Sequence, residues 1–333
     1  MDFERTAAEL VQAVRGNRSQ NALSRRAGYR SNIVRRWERG ACWPTVARFL
    51  ELCALLKLDV DHCYTDFLHR RPDWLAAHGA TSAATVAAFL RELRGKTPIL
   101  ELARVSGFNR YSVSRWLSGT AEPKLPEFLR LIETASGRLL DFLATLVDPA
   151  ALPSVAPRWT LLRSARELAY GQPWSHAVLR ALELEDYARF GYARPGWLAT
   201  KLGLPETQVQ QALAALQETG QIRERRARGG SRYDVKQVLR VNTGQDPVRS
   251  RSLDLAWTRF AARKLARSHS GSFGFSLFAI SKADLRKLRD LHQQYVRAMQ
   301  SLIASSRATD CVGLYCAQLI DLEDGPQNAL AEK

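Results

Sequence analysis

The sequence predicts a mainly α-helical protein with a small β component near its C-terminal end. Three observations support this fold class. A tryptophan followed three residues later by a glycine occurs twice, as Trp37 and Gly40 and again as Trp116 and Gly119, 79 positions apart. Apolar residues recur at helical spacing around and after these motifs. Two short apolar runs of strand length then flank one long helical pattern.

The tryptophan motifs belong to a duplicated unit. At the same spacing, Leu23, Gly28, Val34, Arg36, Trp37, Gly40, Pro44 and Phe49 match Leu102, Gly107, Val113, Arg115, Trp116, Gly119, Pro123 and Phe128. Each copy is predicted to have a helix that ends at a left-handed glycine, then a turn and a second short helix. Val34 and Trp37 share the buried stripe of that second helix, so its polar residues point outward.

The segment from Ser19 to Pro44 resembles the DNA-binding domains of phage repressors and Cro proteins, the XRE-like helix-turn-helix class. The residues that carry the resemblance are Leu23, Ala27, Gly28, Val34, the run from Arg36 to Gly40, and Pro44. It implies a five-helix unit within residues 1–70, with its fourth helix at 46–58 and its fifth at 61–68. Residues 80–147 resemble the class less closely, since Ile99 replaces Gln20 and Leu117 replaces Glu38.

The resemblance implies that Gln20 clamps a phosphate or a base, and that the helix from Ser31 to Arg39 enters the major groove. Asn32 and Arg36 are expected to read base edges, with Arg36 on a guanine, and Arg35 and Arg39 to lie near phosphates. In the second copy Arg110, Tyr111, Ser114 and Arg115 occupy the matching surface. We therefore expect the first copy to carry most of the sequence reading.

The composition of the chain indicates which kinds of partner it binds. Its formal net charge is +16, which favours a polyanionic partner such as double-stranded DNA. Arginine and alanine are abundant and lysine is scarce, a composition that a GC-rich genome would produce without selection for DNA binding. The prediction of DNA binding therefore rests on the repeated motif rather than on the net charge. No apolar stretch reaches the roughly 18 residues of a membrane helix, and no secretion signal is visible. A cytoplasmic protein without a membrane partner is expected.

A proline-rich joint at 147–157 precedes a third unit, residues 158–241. A helix at 174–190, a motif helix and turn from Leu198 to Pro205, an apolar helix up to Gly220 and a hairpin at 223–235 resemble the winged-helix pattern of bacterial regulators. The predicted wing carries five arginines, Arg223, Arg225, Arg226, Arg228 and Arg232. They are expected to contact a phosphate backbone or the minor groove. Thr207, Gln210 and Gln211 form the outward helix face. A solvated hairpin or a winged helix that dimerises is the alternative.

Residues 250–325 are predicted to form a small α+β domain for assembly or sensing. A basic helix at 253–268 precedes a β-α-β unit with strands at 273–280 and 311–322 and a helix at 282–303. Leu285, Leu288, Leu291, Tyr295 and Met299 are expected to face its sheet. The order of elements from 157 to 323 resembles a group of bacterial regulators with a C-terminal domain of unknown function.

The chain carries no motif that indicates catalysis. It has no glycine-rich phosphate loop, no His-Glu-x-x-His and no Gly-x-Ser-x-Gly. The five cysteines form no Cys-x-x-Cys pair, and the spacing of Cys53, His62, Cys63 and His69 fits no standard zinc site. His176 is interpreted as a packed histidine. Neither an enzyme nor a metal or cofactor is predicted.

The sequence thus predicts a homodimeric, sequence-specific DNA-binding transcriptional regulator that represses by occupying an operator. Two tandem units in each chain of a dimer would offer up to four reading heads. The sequence does not identify an effector or a partner protein. The competing hypothesis is an assembly scaffold, in which degenerate helix-turn-helix units bind protein partners without reading bases.

Overall fold

A computed structural model of the chain describes residues 1–190, 192–227, 230–236, 240–267, 271–306 and 308–322. Across these residues the protein has eighteen α-helices and one two-stranded sheet. The predicted mainly α class is confirmed. Within the same residues, none of the helices combines the length and the apolar character needed to cross a bilayer.

The first unit consists of α1 (Phe3–Arg15), α2 (Gln20–Arg26), α3 (Ile33–Glu38), α4 (Val46–Leu55) and α5 (Val60–Leu68). Each helix begins after a polar residue whose side chain accepts a backbone N–H of the first turn, namely Asp2, Ser19, Asn32, Thr45 and Asp59. These caps satisfy N–H groups that have no partner inside the helix. The fourth helix ends three residues earlier than predicted, because Lys57 takes a left-handed conformation with φ of 66°.

A short helix, α6 (Asp73–His78), leads into the second unit: α7 (Ala83–Arg94), α8 (Ile99–Ser106), α9 (Arg110–Ser118), α10 (Leu125–Ser136) and α11 (Leu139–Ala144). Gly28 and Gly107 have φ of 85° and 72°, the left-handed conformation predicted for both. Trp37 and Trp116 are buried with their valine neighbours. The two units are built alike, as the repeat predicts.

A reciprocal pair of backbone hydrogen bonds joins the two units. Val46 donates to the carbonyl of Pro123 at 3.2 Å, and Leu125 donates to the carbonyl of Pro44 at 3.0 Å. Because Leu125 is the repeat equivalent of Val46 and Pro123 that of Pro44, each bond is the counterpart of the other. Helix α1 packs on α10 and α7 packs on α4 with the same correspondence. The units are therefore related by a local twofold axis, and they share one hydrophobic core.

The rest of the chain begins with a 3-10 turn, Pro149–Ala151, and continues through α12 (Ala156–Gly171), α13 (Trp174–Ala181), α14 (Glu185–Arg189), α15 (Pro195–Leu202) and α16 (Glu206–Glu218). The antiparallel strands β1 (Ile222–Ala227) and β2 (Gly230–Val235) follow, then α17 (Pro247–Arg267) and α18 (Lys282–Ser305). Helices α13, α15 and α16 and strand β1 contribute to a second core around Val178, Leu198, Val209 and Ile222. The predicted hairpin is confirmed in its described part.

The single helix predicted at 174–190 is wrong, because the chain breaks between α13 and α14. Leu179, Ala181, Leu182, Leu184 and Tyr187 are all buried. On one continuous helix these side chains would point around the full circumference, at about 100° per residue. The break lets both short helices turn their apolar residues into one core. His176 is half-buried on α13, and burial and the Arg180 guanidinium lower its pKa to about 4.

The predicted β-α-β unit is also wrong. Residues 273–280 and 311–322 form no strand. The second run contacts α17 instead, since Gln318 donates to Thr258 at 2.7 Å. Just before this run, the carbonyl of Thr309 accepts the N–H of Glu185 at 3.0 Å. Without a sheet, Leu291 and Tyr295 of α18 stay exposed, and so do the apolar residues of the first run, where Phe275 is 92% exposed. The last three residues of the predicted domain, 323–325, lie outside the described residues.

A buried polar cluster connects the second unit to the chain that follows it. The Asp141 carboxylate on α11 accepts from Arg166 of α12 at 2.8 Å, from Gln245 at 3.1 Å and from Arg138 at 3.2 Å. Arg166 also donates to the carbonyl of Asn242 at 2.8 Å. The side chains of Asp141 and Arg166 are only 2% and 9% exposed. One carboxylate thus holds three separate segments together.

Candidate nucleic-acid interface

Helix α3 is held at a fixed angle to α2 by buried contacts behind the turn. The Ser24 hydroxyl donates to the carbonyl of Gln20 at 2.7 Å and accepts the N–H of Val34 at 3.1 Å. The rings of Tyr29 and Trp37 meet edge to face with centroids 5.7 Å apart. These contacts fix the turn from the inside, which leaves the outer surface of α3 free to bind.

The outer surface of α3 is strongly basic. Arg35, Arg36 and Arg39 are exposed, as predicted, and Ser31 is exposed at the entry to the helix. Three further exposed arginines, Arg25, Arg26 and Arg30, lie on α2 and the turn, and the sequence analysis did not select them. None of these six arginines forms an ion pair with any residue that the structure describes. Arg25, Arg26 and Arg30 could have been predicted from the sequence, because they are arginines on both sides of Gly28.

Asn32 has a structural role that limits its predicted contact with a base. Its side-chain oxygen accepts the N–H of Arg35 at 3.2 Å and lies 3.3 Å from the Ser24 hydroxyl. Bidentate recognition of adenine needs both the oxygen and the nitrogen of the amide. In this conformation only the nitrogen of Asn32 is available, so Arg36 is the better candidate for reading a base.

A partly buried triad of side chains connects α1, α2 and α3 of the first unit. Arg15 of α1 donates to Glu38 of α3 at 2.5 Å, and Gln20 of α2 also donates to Glu38. The side chains of Arg15 and Glu38 are 15% and 8% exposed. The amide nitrogen of Gln20 is thereby engaged within the protein. Its predicted contact with DNA is left to its carbonyl oxygen and to the α2 backbone beside it.

The second unit repeats the scaffold but not the triad. Phe108 and Trp116 meet edge to face at 5.1 Å, the repeat equivalents of Tyr29 and Trp37. The predicted surface residues of α9, Arg110, Tyr111, Ser114 and Arg115, are all exposed, and Tyr111 is 76% exposed. Leu100 and Val105 on α8 are exposed as well. This surface is more apolar than that of the first unit.

The third unit presents a partly neutralised wing. Thr207, Gln210 and Gln211 are exposed on α16, as predicted. Asp234 of β2 forms ion pairs with both Arg225 and Arg232, and Arg232 also donates to the carbonyl of Phe190 at 3.2 Å. Arg223 and Arg226 have no ion pair among the described residues and are exposed. Arg228 lies outside the described residues.

A match to a protein family covers this later part of the chain. Residues 159–318 are similar to a domain of unknown function, DUF4423. The match runs from α12 to the extended segment after α18, and the two tandem units lie before it. No curated protein and no solved structure gives a significant match.

Proposed function

We propose that the protein is a sequence-specific DNA-binding transcriptional regulator that represses by occupying its operator in the cytoplasm. The observation that carries this proposal is the set of exposed arginines on and beside α3 that form no ion pair with any described residue. A helix held by a tight turn and presenting guanidinium groups has the arrangement of a helix-turn-helix, whose second helix enters the major groove. Unpaired arginines can form bidentate contacts with guanine and with phosphate oxygens.

The local twofold axis supports a particular kind of operator. Helices α3 and α9 are repeat equivalents, so the axis relates them as it relates the recognition helices of a symmetric dimer. DNA-binding dimers use such symmetry to read two inverted half-sites, about 34 Å apart along the duplex. Because α3 and α9 differ in sequence, one chain would read an imperfect palindrome whose stronger half-site belongs to α3.

Footprinting tests the proposal on fragments selected from genomic DNA by the purified protein. We expect protection of two inverted half-sites, and the double variant Arg110→Ala, Arg115→Ala should lose protection of the weaker half-site only. The variant Arg48→Ala is a matched control, because Arg48 is exposed on α4 and already paired with Glu51 at 2.7 Å. Recovery of random fragments, or protection of a single short half-site, would contradict the proposal.

The exposed apolar residues of the second unit favour one competing function. Leu100, Val105 and Tyr111 are exposed on α8 and α9. Exposed apolar residues that lie together are typical of protein contacts. In this second candidate function the tandem units are an assembly scaffold. Failure to enrich any sequence, together with loss of self-association in Tyr111→Asp, would favour it.

The C-terminal part of the described chain supports a homodimer. A stable interface needs roughly 1,200–2,000 Å² in total. Much exposed apolar area lies on residues 273–280 and on α18, as extended backbone and an amphipathic helix. We assign this surface to a second copy of the chain, whose 273–280 segment supplies the missing strand partner.

Sedimentation at several protein concentrations tests the homodimer. We expect Phe275→Asp to shift the protein from dimer toward monomer, because a buried carboxylate without a partner is costly. Val105→Asp, an equally drastic change on exposed α8, should leave the dimer intact if residues 273–280 are the interface. A wild-type protein that sediments as a monomer throughout would rule out this surface as a dimer interface.

A further inference from the structure

A cavity lies where the second unit meets α18. Its volume is about 510 Å³, which is within the range of small-molecule sites. The end of α7, the start of α8 and the end of α10 contribute walls, and Arg240 and residues of α18 close it. The charged and polar side chains that line it include Arg94, Lys96, Glu101, Arg138, Arg240 and Gln300.

Arg94 has lost the partners that its repeat equivalent keeps. In the first unit, Arg15 donates to Glu38, which also accepts from Gln20. At the same spacing of 79 residues, Arg94 takes the place of Arg15, but Leu117 replaces Glu38 and Ile99 replaces Gln20. The Nε of Arg94 is buried and has no hydrogen-bond partner among the residues that the structure describes. The second unit therefore has the guanidinium but not the carboxylate that pairs with it in the first unit.

The start of α8 has lost its cap at the same place. Ser19 accepts the N–H of Ala22 in the first unit, whereas its equivalent, Pro98, provides no side-chain cap. Thr97, Pro98 and Glu101 at this helix start all line the cavity. The first N–H groups of a helix have no partner inside it, and together with the helix dipole they attract an anion. Within the described part of the chain, the second unit thus presents an arginine Nε and a helix start that both lack a side-chain acceptor.

Two more cations face this cavity without a carboxylate partner among the described residues. Lys96 forms no ion pair there, and Arg240 donates only to the Ser136 carbonyl at 3.0 Å and to the Gln300 amide at 2.6 Å. Partial burial and the nearby Arg138 guanidinium lower the pKa of Arg240. Arg138 itself is paired with Asp141. Two carboxylates also line the cavity, Glu101 and Glu92, and Glu92 already accepts from Arg70 at 2.6 Å.

We propose that this cavity binds the phosphate or carboxylate group of a small molecule. Arg94, Lys96 and the first turn of α8 hold the anionic group, and Arg240 approaches it from the opposite segment of the chain. A DNA backbone phosphate has the same chemistry. The small molecule is favoured because Gln300 and Leu302 of α18 form part of the wall, where a duplex would have to displace them.

Binding of the anion would connect the second unit to the C-terminal part of the chain. Arg94 and Lys96 belong to the second unit, whereas Arg240 follows the hairpin and Gln300 lies on α18. An anion that contacts both sets of residues stabilises the arrangement in which they are close. This regulatory consequence rests on the proposed function, whereas the binding site itself does not.

Calorimetric titration with inorganic phosphate, at constant ionic strength and without DNA, tests the site. We expect saturable binding by the wild type. Arg94→Gln should lose about tenfold or more in affinity, because it removes charge-assisted hydrogen bonds to the anion, which are stronger than neutral ones. Lys96→Gln should weaken binding in the same direction. Arg104→Gln is the matched control, since Arg104 is exposed on α8 and does not line the cavity.

A reconstruction variant gives a second readout. Ile99→Gln combined with Leu117→Glu rebuilds the first unit's triad around Arg94, so we expect phosphate binding to be lost while Arg94 is still present. The absence of saturable binding by the wild type, or equal affinities of Arg94→Gln and Arg104→Gln, would overturn the proposal. So would loss of random duplex binding in Arg94→Gln with phosphate binding intact, because the anion would then be the DNA backbone.

Discussion

Replacement of Arg36 by alanine should weaken binding to the selected operator by about 10- to 100-fold and leave binding to random DNA nearly unchanged. A bidentate arginine contact with guanine discriminates against the wrong base by about 1–3 kcal/mol, whereas phosphate contacts carry no sequence information. Arg36 is suited to this contact because it is exposed beside the buried Trp37 and has no ion pair among the described residues. Affinities on both DNAs at one fixed salt concentration measure the effect.

Two controls separate base reading from charge. Arg39→Ala removes the same charge from the end of α3. We expect it to weaken binding to both DNAs similarly and to reduce the salt dependence of the affinity. Arg48→Ala, in which a paired arginine of α4 is lost, should change neither affinity. If Arg36→Ala and Arg39→Ala lower both affinities equally, Arg36 is a phosphate contact and base reading by α3 is ruled out.

Replacement of Asp141 by asparagine should lower the free energy of unfolding by about 3–5 kcal/mol. The substitution keeps the size of the side chain but leaves the buried Arg166 guanidinium without its carboxylate. A buried charge without a partner is far more costly than a buried pair is beneficial. Urea unfolding of the full chain measures the loss.

A double variant distinguishes charge imbalance from general damage to the core. Asp141→Leu together with Arg166→Met removes both charges, and we expect it to recover most of the stability that Asp141→Asn loses. Glu167→Gln is the surface control, because Glu167 pairs with Arg249 at 2.7 Å in an exposed position. A loss below about 1 kcal/mol in Asp141→Asn would show that the cluster contributes little to stability.

The tandem units were predictable because their information is local. The left-handed glycines, the three-residue spacing of Val34 and Trp37, and the polar cap residues each specify a turn, a buried stripe or a helix start within a few positions. The exposed arginines of α3 follow from the same spacing. The reciprocal bonds at Pro44 and Pro123 join residues that are far apart in sequence, and no local pattern indicates them.

The C-terminal prediction failed because strands depend on distant partners. Residues 273–280 have the apolar content of a strand, but a ladder forms only where a second backbone supplies hydrogen bonds. In the second predicted strand, Gln318 instead donates to the side chain of Thr258 on α17. The cavity at Arg94 could have been found by asking which residues of the repeat keep a charge after its partner has changed. That comparison uses only the sequence, but its meaning depends on the partly buried contact between Arg15 and Glu38.

The reciprocal bonds between the two units also have a consequence for how this pair could change over generations. In a symmetric pair made from two identical chains, every substitution alters both halves at once, and dilution separates them. Here the halves are covalently linked, so their association does not depend on protein concentration, and either half can change while the other stays as it is. The loss of Glu38's counterpart at Leu117 is such a one-sided change. A linked pair can thus acquire a new binding property in one half without losing the old one in the other.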